Sequence, residues 1–245
     1  MCEKCSIDQL HSTAPSRRSL VLFAASALGG LMLADTANAK DTKAPPKPQN
    51  VLSPDAALKK LMEGNARYVE GTARRHDFKH EREALAGGQN PYAAILSCAD
   101  SRIAPEYAFD SARGDLFVCR VAGNFANDDT VASMEYAVAV LGTPMILVLG
   151  HDSCGAVDAT IKSLKDNTPP PGHIPSLVAA IAPAVKASAQ QSGNALDNAI
   201  RQNVIDNVAK LKSAAPILNA AAEQNKIKVV GGIYRLATGK VELLN

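Results

Sequence analysis

Tryptophan is absent, and aromatic residues make up only 4% of the 245 positions. A core must therefore be packed mainly by Ala, Val, Ile and Leu. The apolar stretch Leu20–Ala34 stops at fifteen residues, short of the roughly 18–20 that a transmembrane helix requires. Charge excess is also missing. Lys and Arg number 26 against 24 Asp and Glu, a net +2, which argues against a protein built chiefly to bind nucleic acid. With 14 Pro and 16 Gly the chain is neither collagen-like nor low in complexity. It shows no internal repeat, and its length suits one domain with appendages rather than two domains.

The N-terminal segment reads as an address. Arg17 and Arg18 precede the apolar stretch, and Ala37-Asn38-Ala39 puts small residues where a signal peptidase reads. These three cues, in that order, resemble a twin-arginine export signal spanning 1–39. Cleavage after Ala39 would leave 206 residues starting at Lys40 and deliver the protein to the periplasm or beyond. The Cys2/Cys5 C-x-x-C leaves with that segment and has no second pair to complete a metal site. Residues 40–52, rich in Pro and Lys, read as an extended linker. The folded domain is expected over 53–245.

From Ser53 onward the apolar positions Leu58, Leu61, Met62, Ala66 and Val69 recur at helical spacing. They predict a helix over 54–70, with Ser53 as cap and Pro54 in the first turn. A second helix is expected over 79–86. The period then changes: 93–97 (AAILS), 116–121 (LFVCRV) and 145–149 (MILVL) are continuous apolar runs. Such runs suit strands buried on both faces of a parallel sheet. Helices are expected at 129–141, 154–165, 174–190 (kinked at Pro183) and 195–222. A strand over 226–234 and a short terminal strand close the chain. The fold class is α/β, with a mostly parallel central sheet flanked by helices and an N-terminal helical arm.

Ligands collect at the carboxyl ends of strands in open α/β sheets. Two such ends carry metal-binding residue types: Cys98-Ala99-Asp100-Ser101-Arg102, and His151-Asp152-Ser153-Cys154-Gly155. One imidazole and two thiolates favour Zn²⁺ and leave a fourth position open. Spacing alone leaves the alternative of two buried cysteines and a structural histidine. The wider pattern speaks for the metal: CADSR at 98–102 and His151–Cys154 with Gly155 resemble the two zinc-site motifs of the β-class carbonic anhydrases. LMEGNARYVEG at 61–71, GDLFVCRVAGN at 114–124 and GIYRLATG at 232–239 are similar to further motifs of that family.

The resemblance implies that Cys98, His151 and Cys154 bind one zinc ion, with water or hydroxide in the fourth position. It implies that Asp100 accepts a hydrogen bond from that nucleophile and that Arg102 holds Asp100 in place. Asp100 is then also a conditional fourth ligand, should Arg102 release it. The implied reaction is the reversible hydration of carbon dioxide to bicarbonate and a proton, by a homodimer or dimer of dimers whose N-terminal helices lie across a partner. Where the family's bicarbonate-regulated members have a tryptophan, this chain has Ile95, which implies a constitutively open site. Arg235 stands where an aspartate is more usual. Cys119 reads as an inert core residue, and His173 as a solvated loop histidine. Two rival readings remain: a hydrolase of carbon disulfide or carbonyl sulfide on the same fold, and a non-catalytic zinc-stabilised binding protein.

Overall fold

A computed structural model describes residues 51–244. The signal-like segment 1–39 and most of the 40–52 linker therefore lie outside the described residues. Helix α1 (Pro54–Glu70) begins where the sequence places it. The Ser53 hydroxyl accepts the Ala56 N–H at 3.2 Å, Pro54 and Asp55 fill the first turn, and Gly71 closes the helix with a left-handed φ of 70°. Helix α2 (Phe78–Leu85) is capped by Asp77. The remaining elements are β1 (Ala93–Ser97), α3 (Pro105–Ala108), β2 (Leu116–Arg120), α4 (Asp128–Ala139), β3 (Met145–His151), α5 (Gly155–Asp166), α6 (Ile174–Ser188), α7 (Ala195–Ser213), α8 (Ile217–Glu223), β4 (Lys228–Tyr234) and β5 (Val241–Leu244).

The five strands form one sheet in the order β2-β1-β3-β4-β5, parallel except for β5. Side-chain alternation explains the continuous apolar runs. Ala93 and Ile95 of β1 and Met145, Leu147 and Leu149 of β3 face one layer, with Ala57 and Leu61 of α1. Ala94, Leu96, Ile146 and Val148 face the other, with Met134 of α4 and Val204 and Leu211 of α7. Both faces are covered, so both parities of position must be apolar.

Several expectations are corrected. Residues 195–222 form two helices, because Pro216 has no N–H to donate and its ring disfavours helical backbone at Ala215. The single turn of α3 was not anticipated. Strand β2 is an edge strand, and Leu116–Cys119 are only half-buried, so Cys119 is not a core residue. Helix α1 packs on its own chain's sheet, with Ala57 and Leu61 fully buried there, while Val69 near its end stays exposed. Among the described residues no helix is long and apolar enough to cross a membrane.

Candidate metal centre

Strand β1 connects to β2 on one side, while β3 lies on its other side. The boundary between β1 and β3 is the switch point at which such sheets open a crevice at their carboxyl ends. Cys98 follows the last residue of β1, His151 is the last residue of β3, and Cys154 caps α5 three residues on. The topology thus brings residues 53 positions apart to one spot. Their ligand atoms lie within 4.8 Å of one another, and the residues are 4%, 0% and 1% exposed.

The His151 ring is oriented by its own loop: Nδ1–H donates to the Asp152 carbonyl at 2.8 Å. That bond leaves the lone pair on Nε2, which is buried and without a hydrogen-bond partner in the described structure. An orphaned buried acceptor costs free energy unless something fills it, and a cation between it and two sulfurs does so. The hydrogen bond from Cys154 keeps Cys98 far below the ordinary thiol range, against burial, and the Gly123 N–H helps at 3.3 Å. The bond to that thiolate, with burial, pushes Cys154 up. The donor set fits a borderline-soft ion such as zinc, whose binding would release thiol protons.

Asp100 stands beside this triad rather than in it. Its Oδ1 accepts from Arg102 Nε and from the Arg102 backbone N–H, both at 2.9 Å, and its Oδ2 accepts from Arg102 Nη2 at 2.7 Å. The two-pronged bond to Arg102 outweighs desolvation and holds the Asp100 carboxyl well below the usual carboxylate range. Oδ2 lies 3.9 Å from His151 Nε2, so the carboxylate borders the site while being fully engaged by the guanidinium.

Other side chains inside the quoted motifs, given no role by the sequence, also build the site. Arg120 at the end of β2 donates to the Cys98 carbonyl at 3.0 Å and to the Asp100 carbonyl at 2.8 Å, clamping the loop between them. Its place at the carboxyl end of the strand beside β1 was the available signal. The Asp152 carboxylate accepts the Leu236 N–H at 3.0 Å and ties the histidine loop to the end of β4. Ile95 is fully buried in the α1-side core. Arg235 pairs with Glu242 across the β4–β5 turn, and His173 is exposed at the start of α6.

A histidine and two cysteines gathered at a sheet's switch point, next to a carboxylate held in check by an arginine, define the class: an α/β protein with the donor set of a catalytic metal centre. Comparison with known proteins makes the family specific. Residues 93–241 match the family model described as carbonic anhydrase, and the chain belongs to the β-carbonic anhydrase family. It is similar to carbonic anhydrase 2 of Mycobacterium tuberculosis, 38% identical over 192 residues that cover 78% of this chain and 93% of that protein. The solved β-carbonic anhydrase of Coccomyxa, in complex with acetazolamide, is 29% identical with a TM-score of 0.59, over 76% of this chain and 86% of that one. The fold also matches a solved structure from a study of two tetrameric β-carbonic anhydrases of the ascomycete Sordaria macrospora, with a TM-score of 0.61 at 23% identity, over 77% and 96% of the two chains.

Proposed function

We propose that this chain catalyses the reversible hydration of carbon dioxide to bicarbonate and a proton, using one zinc ion held by Cys98, His151 and Cys154. The observation that carries this reading is the buried, unpartnered Nε2 of His151 in a residue whose ligand atom lies within 4.8 Å of those of Cys98 and Cys154. Zinc bound there would act as a Lewis acid that acidifies water toward neutral pH.

The chain's own residues supply the rest. Two thiolates neutralise much of the metal's charge, so acidification is weaker than with three imidazoles and a helper acceptor is useful. Asp100 is that acceptor. Oδ2 accepts only from Arg102 Nη2 and retains lone-pair capacity on the side of the site, so it can take a hydrogen bond from the attacking water and orient that water's lone pair toward the carbon of CO₂. Arg102 sets the pose and keeps the carboxylate from becoming a fourth ligand. The non-catalytic reading gives no reason for this pair, since a structural metal needs neither residue.

The assembly we infer is a homodimer or a dimer of dimers. Phe78, Tyr107, Tyr136 and Val140 stay exposed on the single chain, more large apolar surface than a monomer needs, and the Sordaria fold relatives are tetrameric. Export by the twin-arginine route, with residues 1–39 as the signal, is supported by Arg17-Arg18 and the Ala37-Asn38-Ala39 site.

One preparation tests the core of this. Protein purified without its first 39 residues should contain one zinc per chain, hydrate CO₂ in a stopped-flow assay and sediment as a dimer or tetramer. Cys98→Ser and His151→Ala should lose both zinc and activity. Sulfide release from carbon disulfide or carbonyl sulfide without CO₂ hydration would favour the hydrolase, and full zinc content in either variant would remove the site.

A further inference from the structure

Helix α7 buries an otherwise apolar face: Ile200, Val204 and Leu211 are 0–3% exposed. Into that face it sets Asn203 and Asn207, 2% and 6% exposed, followed by Lys210. Positions 203, 207 and 210 lie on one helical stripe. All three side chains reach the same backbone segment, 123–126. Asn203 Nδ2 donates to the Gly123 carbonyl at 2.8 Å. Asn207 Oδ1 accepts the Ala126 N–H at 2.7 Å, and Lys210 Nζ donates to the Ala126 carbonyl at 2.5 Å. Asn207 Nδ2 also donates to the Asn203 carbonyl at 2.7 Å and to Asn203 Oδ1 at 3.2 Å, which fixes both amides in one orientation. Two amides in an apolar layer are costly unless satisfied. Here they are satisfied almost entirely by one loop and by each other.

That loop hydrogen-bonds the metal centre at one atom, while its Phe125 packs in the same cluster as Cys98 and Cys154. The Gly123 N–H donates to Cys98 Sγ at 3.3 Å. Gly123 has a φ of +86°, strained for any side chain, and a Cβ there would also force Ile181 Cδ1 aside, so the position favours glycine. Glycine is also the residue least able to hold its own backbone dihedrals. Upstream the chain is secured by Val121, which exchanges hydrogen bonds with Ser97 and Ala99. Downstream, the pinning comes from α7.

We propose that Asn203 and Asn207 are positioning residues for the metal centre: by fixing the Gly123–Ala126 backbone they aim the Gly123 N–H at the Cys98 sulfur and set that ligand's donor strength. The inference rests on the zinc reading above. A hydrogen bond to a thiolate withdraws charge from it, and outer partners of this kind typically matter about 10–100-fold in metal affinity or activity. Loss of the pin leaves all three ligands and the Asp100–Arg102 pair in place, yet makes Cys98 more electron-rich, which the spectrum reads, and less well placed, which sets the affinity.

The test compares Asn203→Ala with Leu211→Ala, a cavity on the same helix in a part of the core without metal ligands. Both are loaded with Co²⁺, and zinc affinity is measured by chelator competition. Asn203→Ala should shift the thiolate-to-cobalt charge-transfer band to lower energy and weaken zinc about 10–100-fold. Leu211→Ala should be less stable yet keep the wild-type band and affinity. Asn207→Ala should shift both readouts in the same direction as Asn203→Ala, and it decides the matter if Asn203→Ala does not fold. If the asparagine variants behave like Leu211→Ala while the wild type binds cobalt, this inference is overturned alone. A wild-type chain that binds no cobalt overturns the metal reading and this inference with it.

Discussion

A carboxylate two residues beyond a metal ligand has two places to go, the metal or a nearby cation, and Arg102 decides which. Its guanidinium meets both oxygens of Asp100 at 2.7–2.9 Å, a paired geometry that lysine cannot reproduce. Arg102→Ala should therefore retain zinc while activity falls by two orders of magnitude or more, about 3 kcal/mol in the barrier, as Asp100 moves into the fourth position. Zinc analysis beside stopped-flow kinetics checks it. A near-wild-type rate would reduce Arg102 to a structural ion pair. The five residues of this chemistry were legible in the sequence because each side chain acts for itself and sits just after a recognisable strand. The roles of Arg120, Gly123, Asn203 and Asn207 were not, although the first two lie in the quoted 114–124 stretch. They act through backbone carbonyls and N–H groups, and nothing in the spacing of an asparagine on a helix says which loop will fold against it.

At the level of elements, helix α1 meets α3 through a missing side chain. A Cβ on Gly64 would fall 1.9 Å from the Phe109 carbonyl oxygen. Alanine is the better helix former by about 1 kcal/mol, but the clash is with backbone, and overpacking of this kind costs about 1–3 kcal/mol or more. The clash should win, so Gly64→Ala should lower the melting temperature; an unchanged or higher value would show that α1 lifts freely from α3. The same seam holds Asp110, whose side chain is 2% exposed and accepts from Arg67 Nε at 2.6 Å and the Arg74 N–H at 2.9 Å. Burial pushes its carboxyl up, but these bonds outweigh it and the net shift is downward. A depressed carboxylate stabilises the fold above its unfolded pKa of about 3.9, and the contribution is lost as pH falls through the lower folded value. Asparagine tolerates the φ of 42° found here. Asp110→Asn should thus cost about 2 kcal/mol at neutral pH, and its deficit in urea unfolding should shrink below about pH 3.9. A constant deficit would mean that the charge is irrelevant. Helix α1 and the strands were legible because capping and doubly buried parity are local signals. The α3 turn, the edge position of β2 and the break at Pro216 depend on neighbours or on one residue inside a periodic run, and periodicity overrode them.

For the molecule as a whole, the difficulty is chemical. The chain from Lys40 onward keeps three free cysteines, Cys98, Cys119 and Cys154. Two of them have sulfurs within 4.8 Å of each other, in a protein we propose to be exported to an oxidising compartment. Two thiols this near one another are at risk of oxidation unless a metal masks them first. A route that carries folded proteins resolves this, because zinc can then be loaded in the cytosol. The apolar stretch is broken by Ser26 and Gly29-Gly30, weaker than a Sec signal usually is, so recognition should fall on the arginine pair. Replacing Arg17-Arg18 by Lys-Lys keeps charge and helix propensity and changes little except guanidinium recognition. The expected outcome is folded, zinc-loaded precursor retained in the cytosol, while the wild type appears beyond the inner membrane with Lys40 at its N-terminus. Fractionation, N-terminal sequencing and zinc analysis of both pools read this directly. Normal export of the Lys-Lys protein would point to the unfolded route. Cys98 and Cys154 would then cross as bare thiols and have to find zinc before they found each other.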